Sequence, residues 1–420
     1  MSLQGPLIVV AETPAPDIVE ALSAAGAFPI VEVKWADAPT AFMSVKPAGV
    51  IIVEPGPCPS ESAARMLCLQ IATAHGPIVP TVALTYGDRE PALPVAVPAD
   101  AALPVGRLIA RLQSAMRVRA LHETVLRRLE LLAPQDGDAL KLPLQDALDD
   151  ATVLIAGRGP LYPALSVAMG ERVKMIGALS VETAAKHLNA RDINGIVVGD
   201  GFSQRMVEAF LTVLAQDTRF RDIPVAVIGE ASPEFAEAMP NIDHVDGDPN
   251  RLVARMVPLI RLHAFESRLK RWLTSLDTGG LTDPETGLHT HEAFCRDLAK
   301  AVAESADRSQ PLSIARFSFD GPVDARASLD GARLVTRLIR EIDFGTHDDD
   351  GAILIAFTHS DLRSAHVVAS RIAGALKNTM ATPHANERTV ANVTLATLKA
   401  GDTIDSLMQR VMGSRMVAAE

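Results

Sequence analysis

The chain has 420 residues, 48% of them hydrophobic and 22% charged, with a formal net charge of -11 and a pI near 5.5. This is ordinary globular composition, long enough for about three domains of ~130 residues each. Its acidity disfavours a nucleic-acid binder, whose backbone contacts need a basic face, so any anionic ligand must find a local arginine cluster.

The three cysteines, Cys58, Cys68 and Cys295, are odd in number and lack CxxC spacing. Neither a disulfide framework nor a zinc site is readable, and a reducing cytoplasm fits best. No basic stretch followed by an apolar run opens the chain, and no apolar run approaches the roughly 18 residues of a membrane span. The expectation is a cytoplasmic protein without a span.

Residues 6–11 (PLIVVA), 49–53 (GVIIV) and 78–84 read as short buried strands, with a helical stretch at 18–25 between the first two. Apolar strands alternating with helices predict a parallel sheet covered on both faces. The pattern restarts at 152–156 (TVLIA), 194–198 (NGIVV) and 223–228 (IPVAVI), with helices expected at 181–190 and 203–215. The architecture is duplicated, although the sequence is not. A long amphipathic, arginine-rich helix closes each unit, over 105–132 and 251–276, and suits dimer packing or a stalk. Residues 133–150 are acidic and punctuated by Pro and Gly, which marks a linker, and 277–280 (DTGG) reads as a second hinge. The predicted domains are therefore 1–132, 151–276 and 277–420, with a linker at 133–150.

Both α/β units resemble response-regulator receiver domains, which implies a flavodoxin-like, doubly wound sheet working at the carboxyl ends of its strands. In that family an acid pair follows the first strand and an aspartate phosphoacceptor the third, with a hydroxyl and a lysine further on. Here Ala11 and Glu12 take the acid-pair positions, Glu54 the acceptor, Thr85 the hydroxyl and Leu103 the lysine. In the second unit Gly157 and Arg158 replace the acid pair, Asp200 occupies the acceptor position, Gly229 replaces the hydroxyl, and Asp248 precedes Pro249 where lysine would be. The expectation is two interaction modules without phosphotransfer. The Gly157-Arg158-Gly159-Pro160 stretch lacks a full GxGxxG because residue 162 is Tyr, and it reads as a turn.

From about Leu281 onward, LTDPETGLHTHEAF resembles the opening of the GGDEF family of diguanylate cyclases: Asp283, Thr286, Gly287, Leu288 and Phe294 agree, while Thr290 and His291 depart. The resemblance implies an α+β domain whose first core strand is Pro311 to Asp320, with Ser318 where a magnesium-binding aspartate would stand. It aligns the signature hairpin with Asp349-Asp350-Gly351-Ala352-Ile353, so both glycines have become acids and both acids have gone. Cyclisation needs glycines for close backbone approach and carboxylates to carry metals. Acids at 349 and 350 would instead repel phosphate. No catalytic residue, metal or cofactor is therefore expected. The 347–351 stretch, HDDDG, reads as a polar turn rather than a metal site. His289, His291, His359 and His366 are expected to be surface or structural residues.

The family's product-binding RxxD motif matches Arg340-Glu341-Ile342-Asp343, with Asp343 six positions before Asp349, and Arg371 fits a second inhibitory-site arginine. The implied ligand is cyclic di-GMP. A guanidinium can bind phosphate or the guanine O6/N7 edge, and a carboxylate can accept from guanine N1 and N2. Arg333 and Arg337 precede Arg340 on a helical stripe and are possible accessory residues.

Two receiver-like units before such a domain resemble PopA-type effectors, relatives of PleD-like cyclases. That implies a homodimeric signalling adaptor, directed to a cell pole, that recruits adaptor or protease-delivery proteins in the cell cycle. An alternative is a nucleotide-independent dimerisation scaffold, and a distant third is a residual cyclase. Arg340, Asp343 and Arg371 discriminate the first two, because a pure scaffold tolerates their loss.

Overall fold

The computed structural model describes residues 3–54, 56–86, 91–101, 104–132, 145–229, 233–319, 325–348, 350–379 and 391–412. The chain divides into two compact units, one of residues 6–119 and 143–269 and the other of residues 1–5, 120–142 and 270–420.

The first of these contains two sheets. One is built from β1 (Gln4–Ala11), α1 (Pro16–Ala24), β2 (Phe28–Val33), α2 (Ala38–Val45), β3 (Gly49–Glu54), α3 (Glu61–Ala72), β4 (Thr81–Thr85) and β5 (Val97–Asp100), followed by the long helix α4 (Val105–Leu132). The other comes from β6 (Thr152–Ala156), α5 (Tyr162–Gly170), β7 (Lys174–Ala178), α6 (Val181–Ala190), β8 (Gly195–Val198), α7 (Gln204–Gln216), β9 (Val225–Ile228), α8 (Pro233–Ala238) and β10 (Ile242–Val245), then α9 (Pro249–Leu276). Strand orders are β2-β1-β3-β4-β5 and β10-β9-β8-β6-β7. Renumbered within each sheet, both read 2-1-3-4-5, a common doubly wound order. The pairs β1·β3, β3·β4, β4·β5, β6·β7, β6·β8, β8·β9 and β9·β10 are parallel. Central β3 and β8 are buried along their whole length, as continuous apolar runs in two-sided sheets should be.

The arginines of α4 are spent inside the chain. Arg111 lies 2.9 Å from Asp243 of β10, both buried, and Arg117 lies 2.6 Å from Asp222. Residues 133–144 of the expected linker fall outside the described residues; the remainder carries a 3-10 turn, Ala147–Asp150, capped by the Asp146 carboxylate at 3.1 Å from the Leu148 amide.

The other unit holds α10 (His291–Asp307), β11 (Leu312–Phe319), α11 (Ala325–Leu338), β12 (Phe344–His347), β13 (Ile353–Thr358), α12 (Leu362–Thr379), β14 (Ala391–Thr397) and α13 (Ile404–Met412). Its sheet, in the order β12-β13-β11-β14, is antiparallel. One apolar layer packs α11 and α12 on Phe317, Ile355 and Phe357; the other packs α10 and α13 on Ile314, Leu354 and Phe344. At 277–280, where the sequence suggests a hinge, α9 passes into a π turn, Asp277–Leu281, kinked at Gly280, whose φ of 113° is a conformation glycine adopts without steric cost. Among the described residues, no helix is long and apolar enough to cross a membrane.

Candidate functional site

In the second unit, a self-locked turn begins the site. Thr286 donates its hydroxyl to Asp283 Oδ2 at 2.9 Å, the Glu285 amide donates to Asp283 Oδ1 at 3.0 Å, and the Asp283 amide donates to the Leu288 carbonyl at 2.8 Å. The His289 amide then donates to the Gly345 carbonyl at 2.8 Å, pinning the turn to β12. Thr290 caps α10 by accepting from the Ala293 amide at 3.2 Å, and Phe294 is fully buried in the core. The LTDPETGLHTHEAF residues thus build a turn and a helix start.

The Arg340–Asp343 segment is a tight turn between α11 and β12. The Asp343 amide donates to the Arg340 carbonyl at 3.0 Å. The Asp343 carboxylate accepts from the Arg340 amide at 3.3 Å and the Thr358 amide at 3.1 Å. It is 4% exposed, and burial pushes its carboxyl up to about 7 against the lowering effects of the Arg340 charge and the two amides.

Between this turn, the 282–289 turn, residues 270–277 and Arg128, all of this same unit, lies a cleft of about 180 Å³. It is smaller than the roughly 300–1,000 Å³ of a pocket for a drug-sized ligand. Arg128, Lys270 and Arg340 line it together with Asp277, Glu341 and Asp343. Arg128 is ion-paired with Asp277, and its Nε lies 3.8 Å from buried Asp297. Lys270 Nζ stands 3.7 Å from Glu341 Oε2. Burial raises the Asp277 carboxyl while Arg128 lowers it less. His289, also in the wall, is pushed down to about 3, first by burial and then by the Arg128 charge, so it is neutral.

The cleft therefore unites Arg340 and Asp343. Arg333, Arg337 and Arg371 are not among its lining residues. Helix α11 ends at Leu338, so the expected 333–337–340 stripe stops short of Arg340. Arg333 Nε donates to the Glu285 carbonyl at 2.9 Å, and Arg371 reaches the Leu338 carbonyl at 3.4 Å. Arg337 is exposed in the last turn of α11. Sequence reasoning missed Arg128 and Lys270, which belong to the arginine-rich helices and carry no motif.

At the hairpin between β12 and β13, the Asp350 carboxylate pairs with Arg316 and accepts from the Ala352 amide at 3.0 Å, while Ala352 is buried. His347 Nε2 is 2.8 Å from Ser328 Oγ. Ser318 lies opposite Asn392 in the sheet; Asp320 and Asp349 fall outside the described residues. Among the described residues, no group of three or more His, Cys, Asp or Glu could hold a metal ion.

The receiver-like positions have a different character. Glu54 is buried and accepts from the Ala92 amide at 3.1 and 3.2 Å, and burial raises its carboxyl. Thr85 turns its hydroxyl to the Ala99 carbonyl at 3.5 Å, and Leu103 lies outside the described residues. Asp200 Oδ2 accepts from the Leu161 amide at 3.2 Å at the start of α5, and its own carbonyl accepts from the Arg158 and Gly159 amides at 3.1 Å each. A Cβ on residue 159 would stand 2.2 Å from Asp200 Oδ2, so any other residue there would have to displace the Asp200 carboxylate. Asp248 accepts from the Asn250 amide at 3.0 Å, opening α9.

No protein-family model matches the chain, and no curated protein does. Among solved structures it is similar to the coiled coil and GGDEF domain of DgcB from Caulobacter crescentus in complex with c-di-GMP, at 17% identity and a TM-score of 0.29, covering 35% of this chain and 84% of that one. It is similar to the FimX GGDEF domain from Pseudomonas aeruginosa at 16% identity and a TM-score of 0.28, covering 31% and 89%. It is also similar to PelD from Pseudomonas aeruginosa PAO1 in complex with c-di-GMP, at 14% identity and a TM-score of 0.25, covering 69% and 94%.

Proposed function

We propose that the chain is a cyclic di-GMP-binding signalling adaptor with a GGDEF-like domain that performs no cyclisation, preceded by two receiver-like modules that transfer no phosphate. The observation that carries this reading is the meeting of Arg340 and Asp343 in one cleft with two further cations, Arg128 and Lys270. Guanine offers O6 and N7 to a guanidinium and N1 and N2 donors to a carboxylate, and the ligand's phosphodiesters suit the remaining cations. The hairpin supports silent chemistry: Asp350 is held by Arg316, and the Ala352 side chain has no oxygen to offer a metal. Glu54 and Asp200 act in the receiver-like modules as local structural acceptors. Output then passes to protein partners that recognise the loaded form.

The test is calorimetric titration of cyclic di-GMP into the full chain and into Arg340→Ala, with GTP plus magnesium as a control for turnover. One charge-assisted contact contributes about 1.5 to 3 kcal/mol, so the variant should bind roughly 10- to 150-fold more weakly. Absence of binding to the wild type, confirmed by a second binding assay, would leave a nucleotide-independent scaffold. Consumption of GTP would restore a cyclase.

A further inference from the structure

Cations and acids face each other in equal number among the cleft's charged lining residues, Arg128, Lys270 and Arg340 against Asp277, Glu341 and Asp343. This is an unusual wall for a site that must attract an anion. Two of the acids are placed directly on two of the cations: Asp277 pairs with Arg128, and Glu341 stands 3.7 Å from Lys270. The backbone that carries each acid is held. The Asp277 carbonyl accepts from the Thr282 amide at 3.2 Å and the Thr282 hydroxyl at 2.9 Å, which fastens the π turn that carries it. The Glu341 backbone lies in the tight turn closed by the Asp343 amide on the Arg340 carbonyl.

We infer that Asp277 and Glu341 are specificity-determining residues: as built-in counter-ions of Arg128 and Lys270, they exclude highly charged nucleotides such as nucleoside triphosphates and admit a ligand whose phosphates are singly charged diesters. The inference rests on the cyclic di-GMP reading above. A phosphate entering the cleft shares Arg128 with Asp277 and Lys270 with Glu341. A diester brings one charge to that shared cation and offsets its desolvation. The dense charge of a triphosphate meets two or three carboxylates within a few ångströms, where repulsion is strong because the wall is partly buried. Asp277 has the larger influence, since its side chain is 29% exposed against 55% for Glu341, whose charge water screens more fully.

The experiment is displacement of labelled cyclic di-GMP from the full chain by unlabelled cyclic di-GMP and by GTP with EDTA present, for the wild type, Glu341→Gln and Asp277→Asn. The wild type should favour cyclic di-GMP over GTP. That preference should narrow by about 3-fold in Glu341→Gln, an exposed pair, and by about 10-fold in Asp277→Asn, a more buried one. Glu341→Gln alters an exposed side chain, so its ratio decides the matter should Asp277→Asn fail to fold. An unchanged ratio with cyclic di-GMP still bound overturns the counter-ion role and leaves the effector reading standing. A wild type that binds no cyclic di-GMP overturns both.

Discussion

Asp343 in one unit and the Glu54 and Asp200 pair in the other are all carboxylates singled out by position, and all three accept backbone amides. Their surroundings separate them. Glu54 is clamped by the Ala92 amide, and Asp200 is absorbed into the turn that starts α5. Asp343 shares its neighbourhood with space and with three cations. A carboxylate in a loop is thus no site by itself; a cavity and complementary charge beside it make one.

That contrast can be stressed first where charge is densest. Asp297 is fully buried, ion-paired with Arg127 and 3.8 Å from Arg128. Removing one partner of such a cluster leaves buried charge uncompensated, so Asp297→Ala should destabilise the unit by about 3 to 5 kcal/mol. Thermal or denaturant unfolding would read this directly. A loss below 1 kcal/mol would mean that the arginines behind the cleft are not held by this acid.

Proton linkage at Asp343 comes next. Its folded pKa, about 7, lies above the ordinary carboxylate value, so between about pH 4 and 7 the folded chain holds a proton that the unfolded chain has released. Stability contributed by the neutral form is full below about pH 4 and is lost as pH rises through 7. Relative to Asp343→Asn, the wild type should therefore lose melting temperature from pH 5 to 8. Cyclic di-GMP needs the ionised form to accept from guanine, so binding near pH 6 should release up to one proton and binding at pH 8.5 none. Calorimetry in buffers of different ionisation enthalpy measures the difference; equal release at both pH values would count against Asp343 as the guanine acceptor.

Smaller effects belong to the other unit. Asp200→Ala removes the acceptor at the start of α5 and should cost about 1 kcal/mol. Glu54→Gln retains an oxygen for the Ala92 amide and relieves a buried charge, so its stability should change by less than about 1 kcal/mol. Neither variant should alter cyclic di-GMP binding, and a tenfold change in either would erase the distinction between the two regions.

Much of the architecture is legible in sequence because apolar runs are contiguous. The strand at 152–156 and the helices at 105–132 and 181–190 stand where the periodicity places them. Edge strands are harder. β2 (FPIVEV) is half exposed with a proline at its second position, and β5 (VPAD) is four residues long and also contains proline, so neither announces itself as an apolar run. The strand expected from 78 begins at Thr81, after Pro80. At the site, Arg340 and Asp343 could be found because they are three residues apart in a motif. Arg128 and Lys270 could not: each lies in an arginine-rich helix far away in sequence, and only the fold selects which cation faces the cleft.

Amide hydrogen exchange with and without cyclic di-GMP would test the placement of the ligand most directly. Binding in the cleft should slow exchange in residues 282–289 and 339–345 while leaving 157–162 unchanged. Protection confined to 157–162, or absent throughout while calorimetry reports binding, would place the ligand elsewhere and contradict the assignment of Arg340 and Asp343.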